Sequence, residues 1–141
     1  FQLVNPGAFH TPLLKDISET AAHSLYRLDF KKPSIPLIDG RGHIWTPYGT
    51  DKKGIYNYTL GHQVTETYDF TKSMEVALKE FAPDHLVLLG PGNSLGGAIG
   101  QILIKNQWLG IKNKSDFIKR QETNPFLISM GVAEQKQHVS H

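Results

Sequence analysis

The sequence has no cysteine, only two methionines and two tryptophans, and a net charge of only +2 over 141 residues. The lack of cysteine excludes disulfides, thiolate metal ligands and a cysteine nucleophile. It is typical of a reducing compartment, so we expect a cytoplasmic protein. The small net charge comes with scattered lysines and gives no basis for nucleic-acid binding. The longest apolar runs fall far short of the roughly 18 to 20 residues that a membrane span requires, so we expect no membrane segment.

The composition that remains is that of a globular domain with a core. Hydrophobic residues make up 39% of the chain and charged residues 20%. Apolar residues at steps of three and four predict an amphipathic helix from 12 to about 30, ended by Pro33. Further helices are predicted at 55–63, from Thr71 to before Pro83, from the glycine-rich turn to about 104, and at 115–122.

Short apolar runs predict strands at 35–38 and 85–89, the second of them as the buried centre of a parallel sheet. Residues 64–70 are β-branched and aromatic enough to be extended, and glycine and proline predict a loop over 40–53. From residue 133 onward we expect a frayed polar tail. A strand, a glycine turn and a helix in succession indicate an α/β protein.

His10 lies in the segment GAFHTPLL at 7–14, and Pro6 and Pro12 flank it on either side. Proline fixes φ and glycine permits unusual backbone geometry, so this short loop holds the imidazole by backbone constraint. Histidine is the side chain best suited to general-base catalysis near neutral pH, provided that another group orients its second nitrogen. A histidine in a loop is also commonly a capping or packing residue, and the segment alone leaves both roles open.

The glycine-rich segment GPGNSLGG at 90–97 permits two readings of its own. A dinucleotide site is disfavoured, because the glycine spacing is GxGxxxG and Pro91 removes a backbone donor. The segment also contains a literal GxSxG, which would make Ser94 the nucleophile of a serine hydrolase with Asp116 and His138. In that class the turn with the serine follows the strand directly, whereas here Gly90 and Pro91 lie between the predicted strand and the motif.

The two motifs together, with Gly90 lying 80 positions after His10, resemble the C-terminal half of the malonyl-CoA:acyl carrier protein transacylase family. The resemblance covers roughly residues 3–105 and implies a fragment of an α/β-hydrolase-like acyltransferase core, with a short, mostly parallel sheet and flanking helices. It implies an acyltransferase domain part over 1–105 and a C-terminal extension with a short helix and polar tail over 106–141.

The resemblance implies a role for each matching residue. His10 would be the general base, oriented by the backbone carbonyl of Gln63 in place of a carboxylate. Phe9 would contact substrate and favour malonyl over branched acyl groups, and Gly90, Pro91 and Gly92 would form a structural turn near the site. The substrate would be a coenzyme A thioester, malonyl-CoA, with acyl carrier protein as partner in fatty acid or polyketide biosynthesis. No tightly bound cofactor and no metal are expected.

The family's nucleophilic serine, on a GHSxG motif, has no counterpart in these 141 residues. We therefore expect the chain to be part of a longer protein, completed by an N-terminal half or a second chain, and inactive alone. The segment 66–70 also departs from the family pattern. The alternative from another class is a non-catalytic scaffold or partner subunit that keeps the framework without the chemistry.

Overall fold

The computed structural model of the chain describes residues 7–90 and 93–139. The chain divides after residue 73 into two compact units, whose described parts are residues 7–73 and residues 74–90 with 93–139. The division into 1–105 and 106–141 follows the family resemblance and stays a prediction.

The first unit contains short helices around a two-stranded hairpin. A 3₁₀ turn at Pro12–Leu14 leads directly into the first α-helix. The elements that follow it are α1 (Lys15–Ser24), β1 (Leu37–Ile38), β2 (Ile44–Trp45), α2 (Lys52–Asn57), a π-helical turn (Tyr58–His62) and α3 (Gln63–Thr65).

The first helix is shorter and more exposed than its periodicity predicts. It ends at Ser24, and hydrogen bonds from Leu28 N to Leu25 O and from Phe30 N to Leu28 O form turns beyond it. Apolar residues on the expected buried face are exposed, Leu13 by 82% and Ile17 by 60%. The expectation of a helix to about 30 is therefore wrong, because periodicity records apolar positions and not where the hydrogen bonds stop.

The two strands of the first unit pair antiparallel, with Leu37 opposite Trp45 and Ile38 opposite Ile44. The prediction of a strand ending at Ile38 is confirmed, but the predicted loop at 40–53 contains β2 and the start of α2. Two apolar residues are too few to show a strand pattern in a sequence, and β2 forms because the turn at 39–43 returns the chain beside β1. The helical segment 52–65 runs through Gly61 without a break, and Phe70 begins the next helix, so the expectation of an extended segment over 64–70 is wrong at both ends. Glu66, which follows the helical segment, is extended.

The second unit places helices around a parallel pair of strands. Its elements are α4 (Phe70–Phe81), whose first turn belongs to the first unit, β3 (Leu86–Leu88), α5 (Gly96–Lys105), a 3₁₀ turn (Trp108–Gly110), α6 (Lys114–Thr123), β4 (Leu127–Ser129) and α7 (Ala133–Lys136). The helix predicted from Thr71 to before Pro83, the helices predicted to about 104 and at 115–122, and the strand predicted at 85–89 are confirmed within a few residues. The expectation of a polar tail is wrong for residues 133–136, which form α7.

Strands β3 and β4 are parallel, with Leu86 opposite Leu127 and Leu88 opposite Ser129. The structure is thus mixed α/β, as expected, but the strands within residues 7–90 and 93–139 form two separate pairs and not one mostly parallel sheet. β3 is also less buried than the centre of a parallel sheet, since Val87 is 43% exposed.

The core of the second unit is apolar. Helix α5 buries three of its aliphatic side chains, and Gly100 lets it approach α6, since a Cβ there would lie 3.4 Å from Phe117 Cε1. The buried apolar residues are Leu78, Ile99, Ile102, Leu103, Ile111, Phe126, Leu127 and Ile128. No helix within 7–90 and 93–139 combines the length and the apolar character needed to cross a bilayer.

Candidate functional site

His10 adopts a backbone conformation that is uncommon for a residue with a side chain. Its φ is 60°, in the left-handed region, which costs such residues on the order of 1–3 kcal/mol. The neighbouring turn holds this geometry, since Thr11 Oγ1 donates to Ala8 O at 2.7 Å and Leu14 N to Thr11 O at 3.1 Å. The half-buried imidazole is therefore presented from a constrained loop, as the flanking prolines suggest.

The Nδ1 atom of His10 lies 2.5 Å from the backbone carbonyl oxygen of Gln63. A carbonyl oxygen only accepts hydrogen bonds, so Nδ1 must carry the proton in the neutral ring. The other ring nitrogen, Nε2, then keeps its lone pair. This contact therefore fixes the tautomer in which Nε2 is available as a base.

The Gln63 carbonyl is free to accept this bond because the helical segment ends there. The last helical hydrogen bond runs from Glu66 N to His62 O at 2.8 Å. Glu66 itself is extended, with φ −116° and ψ 154°, so the next backbone N–H does not return to Gln63. The final carbonyls of a helix have no intrahelical partner and bind other donors.

Two side-chain hydrogen bonds bring the His10 loop to this helix end. Ser18 Oγ donates to Leu60 O at 2.5 Å, and Tyr56 Oη donates to Ala22 O at 2.5 Å. Both bonds join α1, which follows the His10 loop, to the helical segment 52–65. Helix α1 is therefore fixed at two points along its length, and the loop that precedes it is placed against Gln63.

Tyr68 flanks the imidazole, with ring centroids 5.6 Å apart. The tyrosine ring packs against Gly40, where a Cβ would lie only 2.4 Å from Tyr68 Cδ2. Gly40 N also donates to Tyr58 Oη at 2.8 Å, and Gly40 O accepts from Asp69 N at 2.9 Å. The hairpin turn thus sets the position of the aromatic side chain beside His10.

Asp39 organises that hairpin turn and is only 4% exposed. Its carboxylate accepts from the backbone N–H groups of Arg41 and His43, from the Arg41 guanidinium and from Trp45 Nε1. Burial alone raises the pKa of Asp39, but the hydrogen bonds from Arg41 and His43 outweigh it and hold the pKa below its ordinary value. The Arg41 guanidinium also lies 4.6 Å from the centre of the Tyr58 ring.

A cavity of about 290 Å³ adjoins the His10–Gln63 contact, and both Gln63 and Tyr68 line it. Trp45, Tyr58 and Ile55 give it apolar walls. Its size lies near the lower end of the range for small-molecule sites. The described residues contain no group of three or more histidine, aspartate or glutamate side chains that could hold a metal ion.

The other predicted site residues are placed as follows. Phe9 is 71% exposed, and its ring lies against Gly7, where a Cβ would be 2.3 Å from Phe9 Cε2. Gly90 has φ 98°, which suits a turn that favours glycine. Pro91 and Gly92 lie outside the described residues.

The alternative set Ser94, Asp116 and His138 is not brought together. Ser94 is exposed, and its φ is not positive, unlike that of the serine on a strained nucleophile elbow. The Asp116 carboxylate accepts from Lys112 N and Asn113 Nδ2, so it serves the start of α6 and orients no histidine.

Comparisons of the chain with protein-family models, with curated proteins and with solved structures found no match. The transacylase family thus stays an expectation from two sequence motifs. Sequence reasoning did not find Tyr68 or Asp39 as part of the site. Asp39-Gly40 is a residue pair typical of a turn, but no sequence pattern links that pair to His10.

Proposed function

We propose that this chain carries the general base of an acyltransferase that moves a malonyl group from coenzyme A to acyl carrier protein through a seryl ester. The observation that carries the proposal is the contact between His10 Nδ1 and the Gln63 carbonyl, which leaves Nε2 as the basic nitrogen. The nucleophilic serine belongs to a segment outside these residues. The parallel strands β3 and β4, connected along the chain through α5 and α6, support an α/β-hydrolase-like core.

The proton movements follow from the tautomer. Nε2 takes the serine proton as the serine oxygen attacks the thioester carbonyl, and the resulting imidazolium gives it to the departing coenzyme A thiolate. In the second half-reaction Nε2 takes the proton of the carrier's phosphopantetheine thiol and returns it to the serine oxygen. Through both steps Nδ1–H stays on the Gln63 carbonyl, which holds the ring in orientation but supplies no negative charge.

Substrate preference is proposed from Phe9, the residue before the base. Its ring is largely exposed and available to a bound acyl group. By the family resemblance an aromatic side chain here leaves little room for a branch next to the thioester. We therefore propose malonyl over methylmalonyl as the acyl group.

The test is malonyl transfer to a carrier protein by the complete enzyme that contains this chain. His10→Ala should lower kcat by about 100- to 10,000-fold, the usual contribution of a general base, with little loss of stability. The matched control is His23→Ala, because His23 is exposed on α1 and undergoes the same chemical change. Gln63→Ala keeps the backbone carbonyl and should retain most activity.

Intact-mass measurement after incubation with malonyl-CoA tests the seryl ester directly. One added malonyl mass on a serine outside these residues, absent from the variant that lacks this serine, supports the proposal. If turnover of His10→Ala stays within tenfold of that of the unaltered enzyme, a difference of about 1.4 kcal/mol in the activation barrier, the assignment of His10 as general base is refuted. A correctly folded complete protein that takes up no malonyl group would favour a non-catalytic scaffold.

A further inference from the structure

The second unit contains a separate cavity of about 280 Å³ where the parallel strands end and α5 begins. Its lining includes Leu88 and Ser129, the last residues of β3 and β4, and Gly96 and Gly97, the first residues of α5. In open α/β sheets, ligands bind in the crevice beyond the carboxyl ends of parallel strands. No residue of the His10 site lines this cavity.

The start of α5 offers backbone donors at this cavity. The ten-residue helix has no side-chain cap. Gly96 N donates to Asn93 O and Ile99 N to Leu95 O, whereas the N–H groups of Gly97 and Ala98 find no acceptor within residues 7–90 and 93–139. A Cβ on Gly97 would meet nothing within 4 Å, so there is open space beside this residue at the cavity. Free N–H groups and the helix dipole together favour an acceptor that carries negative charge.

Ser129 gives an independent indication of a ligand. The residue is only 4% exposed, and its hydroxyl has no hydrogen-bond partner among the described residues. A buried polar group without a partner is unfavourable, and most such groups in proteins are satisfied by protein, water or ligand. Ser129 N donates to Gln135 Oε1 at 2.7 Å, which fixes the end of β4 and leaves the Gln135 amide N–H₂ as a further donor.

The other residues that line the cavity indicate which chemical class of ligand it binds. Gln121 is already used, since it bonds to Phe126 N and to both backbone groups of Leu127. The groups left over, which are the Asn93 amide, the Ser129 hydroxyl and the Gln135 N–H₂, can all donate, and no charged residue lines the cavity. A phosphate dianion in proteins usually has arginine or lysine beside it, whereas a carboxylate needs less charge compensation. Leu88, Phe117 and Val132 supply apolar surface for the rest of the molecule.

We propose that this cavity binds a small organic acid, with its carboxylate at the start of α5 beside Ser129 and its carbon chain against the apolar wall. At about 30 Å³ for each water-sized group, the volume suits an acid of roughly nine non-hydrogen atoms or fewer. The site is independent of the acyl transfer proposed for His10.

The experiment titrates the full chain with sodium butyrate, with sodium chloride and sodium phosphate as controls at equal ionic strength. Two-dimensional ¹H–¹⁵N spectra should show saturable butyrate shifts at the amides of Gly97, Ala98 and Ser129. Chloride should leave these signals unchanged, and phosphate should act more weakly than butyrate. No saturable shift at these amides would overturn the proposal, and tighter binding of phosphate would overturn the carboxylate assignment.

Two variants separate binding from folding. Ser129→Ala removes the partnerless hydroxyl, so the unfolding midpoint should stay or rise while butyrate affinity falls at least about tenfold, as expected for one hydrogen bond to a charged group. Gly97→Ala places a methyl group in the open space and should weaken binding in a helix that alanine favours. Gly61→Ala is the matched control, because a Cβ there also meets nothing within 4 Å and Gly61 does not line the cavity. Unchanged affinity in both test variants would refute the site.

Discussion

Replacement of Asp39 by asparagine tests how the hairpin that flanks the candidate site is held together. Asp39 Oδ1 accepts from Arg41 N at 2.9 Å and His43 N at 3.0 Å. Oδ2 accepts from Arg41 Nε at 3.0 Å, Arg41 Nη2 at 2.5 Å and Trp45 Nε1 at 3.2 Å. Both oxygens therefore face donors only, and an asparagine N–H₂ in either orientation points a donor at other donors.

The expected loss of stability follows from the hydrogen bonds that asparagine cannot make. The better orientation keeps the oxygen on the two backbone N–H groups and loses the bonds to Arg41 and Trp45. An unpaired buried donor costs about 1–3 kcal/mol, and the loss of one partner of a buried ion pair about 3–5 kcal/mol. The Arg41 side chain is 41% exposed and regains water, which lowers the cost. We expect Asp39→Asn to lower the free energy of unfolding by about 2–3 kcal/mol.

The same contacts predict a pH dependence. Since the pKa of folded Asp39 is lowered, its ionised form stabilises the fold fully above the unfolded pKa of about 3.9. That contribution is lost as the pH falls through the lower folded value. The stability difference between the wild-type chain and Asp39→Asn should therefore shrink as the pH falls below about 4.

Urea denaturation followed by circular dichroism measures both effects, at pH 7 and at steps toward pH 3. Asp84→Asn is the control, since Asp84 is exposed and makes no hydrogen bond or ion pair to the described residues. A change within about 0.5 kcal/mol for Asp39→Asn at pH 7, the size of an ordinary surface substitution, would refute the assigned role of the carboxylate.

Two further substitutions test the parts that hold His10. Gly40→Ala places a methyl group 2.4 Å from Tyr68 Cδ2, so we expect a loss of about 1–3 kcal/mol in unfolding free energy and a changed His10 ring signal by NMR. An unchanged His10 signal would contradict the packing of Tyr68 between the turn and the imidazole. Asp69→Ala removes the bond from Lys72 N to Asp69 Oδ1 (2.8 Å) and should cost about 1 kcal/mol, measured by urea denaturation. The control is Glu80→Ala, since exposed Glu80 makes no such bond. An equal loss of unfolding free energy in Glu80→Ala would argue that the Asp69 side chain does not cap the start of α4.

The elements that sequence predicts well are those with enough residues to show a pattern. Helices α5 and α6 and strand β3 fall within a few residues of their predicted positions. Strand β4 was not predicted, because its pairing with β3 joins Leu88 to Ser129 across 41 positions and its three residues show no period of their own. Strand β2 is two residues long and depends on the Asp39 turn beside it.

In the candidate site, too, local features were predicted from the residues themselves and long-range contacts were not. His10 was found from its flanking prolines and glycine, which are local features. Its contact with Gln63 spans 53 positions and was expected only from the resemblance of two motifs. Tyr68 and Asp39 were not expected at the site, because their roles come from a glycine turn that approaches the tyrosine ring.

Residues 66–70 depart from the transacylase pattern, yet the segment after Gln63 leaves the Gln63 carbonyl available to His10. Two donors compete for that oxygen, the next helical N–H and His10 Nδ1. Asp69 decides between them, because its backbone N–H is bound to Gly40 O at 2.9 Å and its carboxylate to Lys72 N at 2.8 Å. With residue 69 held at the hairpin, Glu66 is extended and the helix does not continue past Thr65. With its own residues at 66–70, this loop therefore ends the helix at Thr65 and leaves the Gln63 carbonyl oxygen to His10 Nδ1.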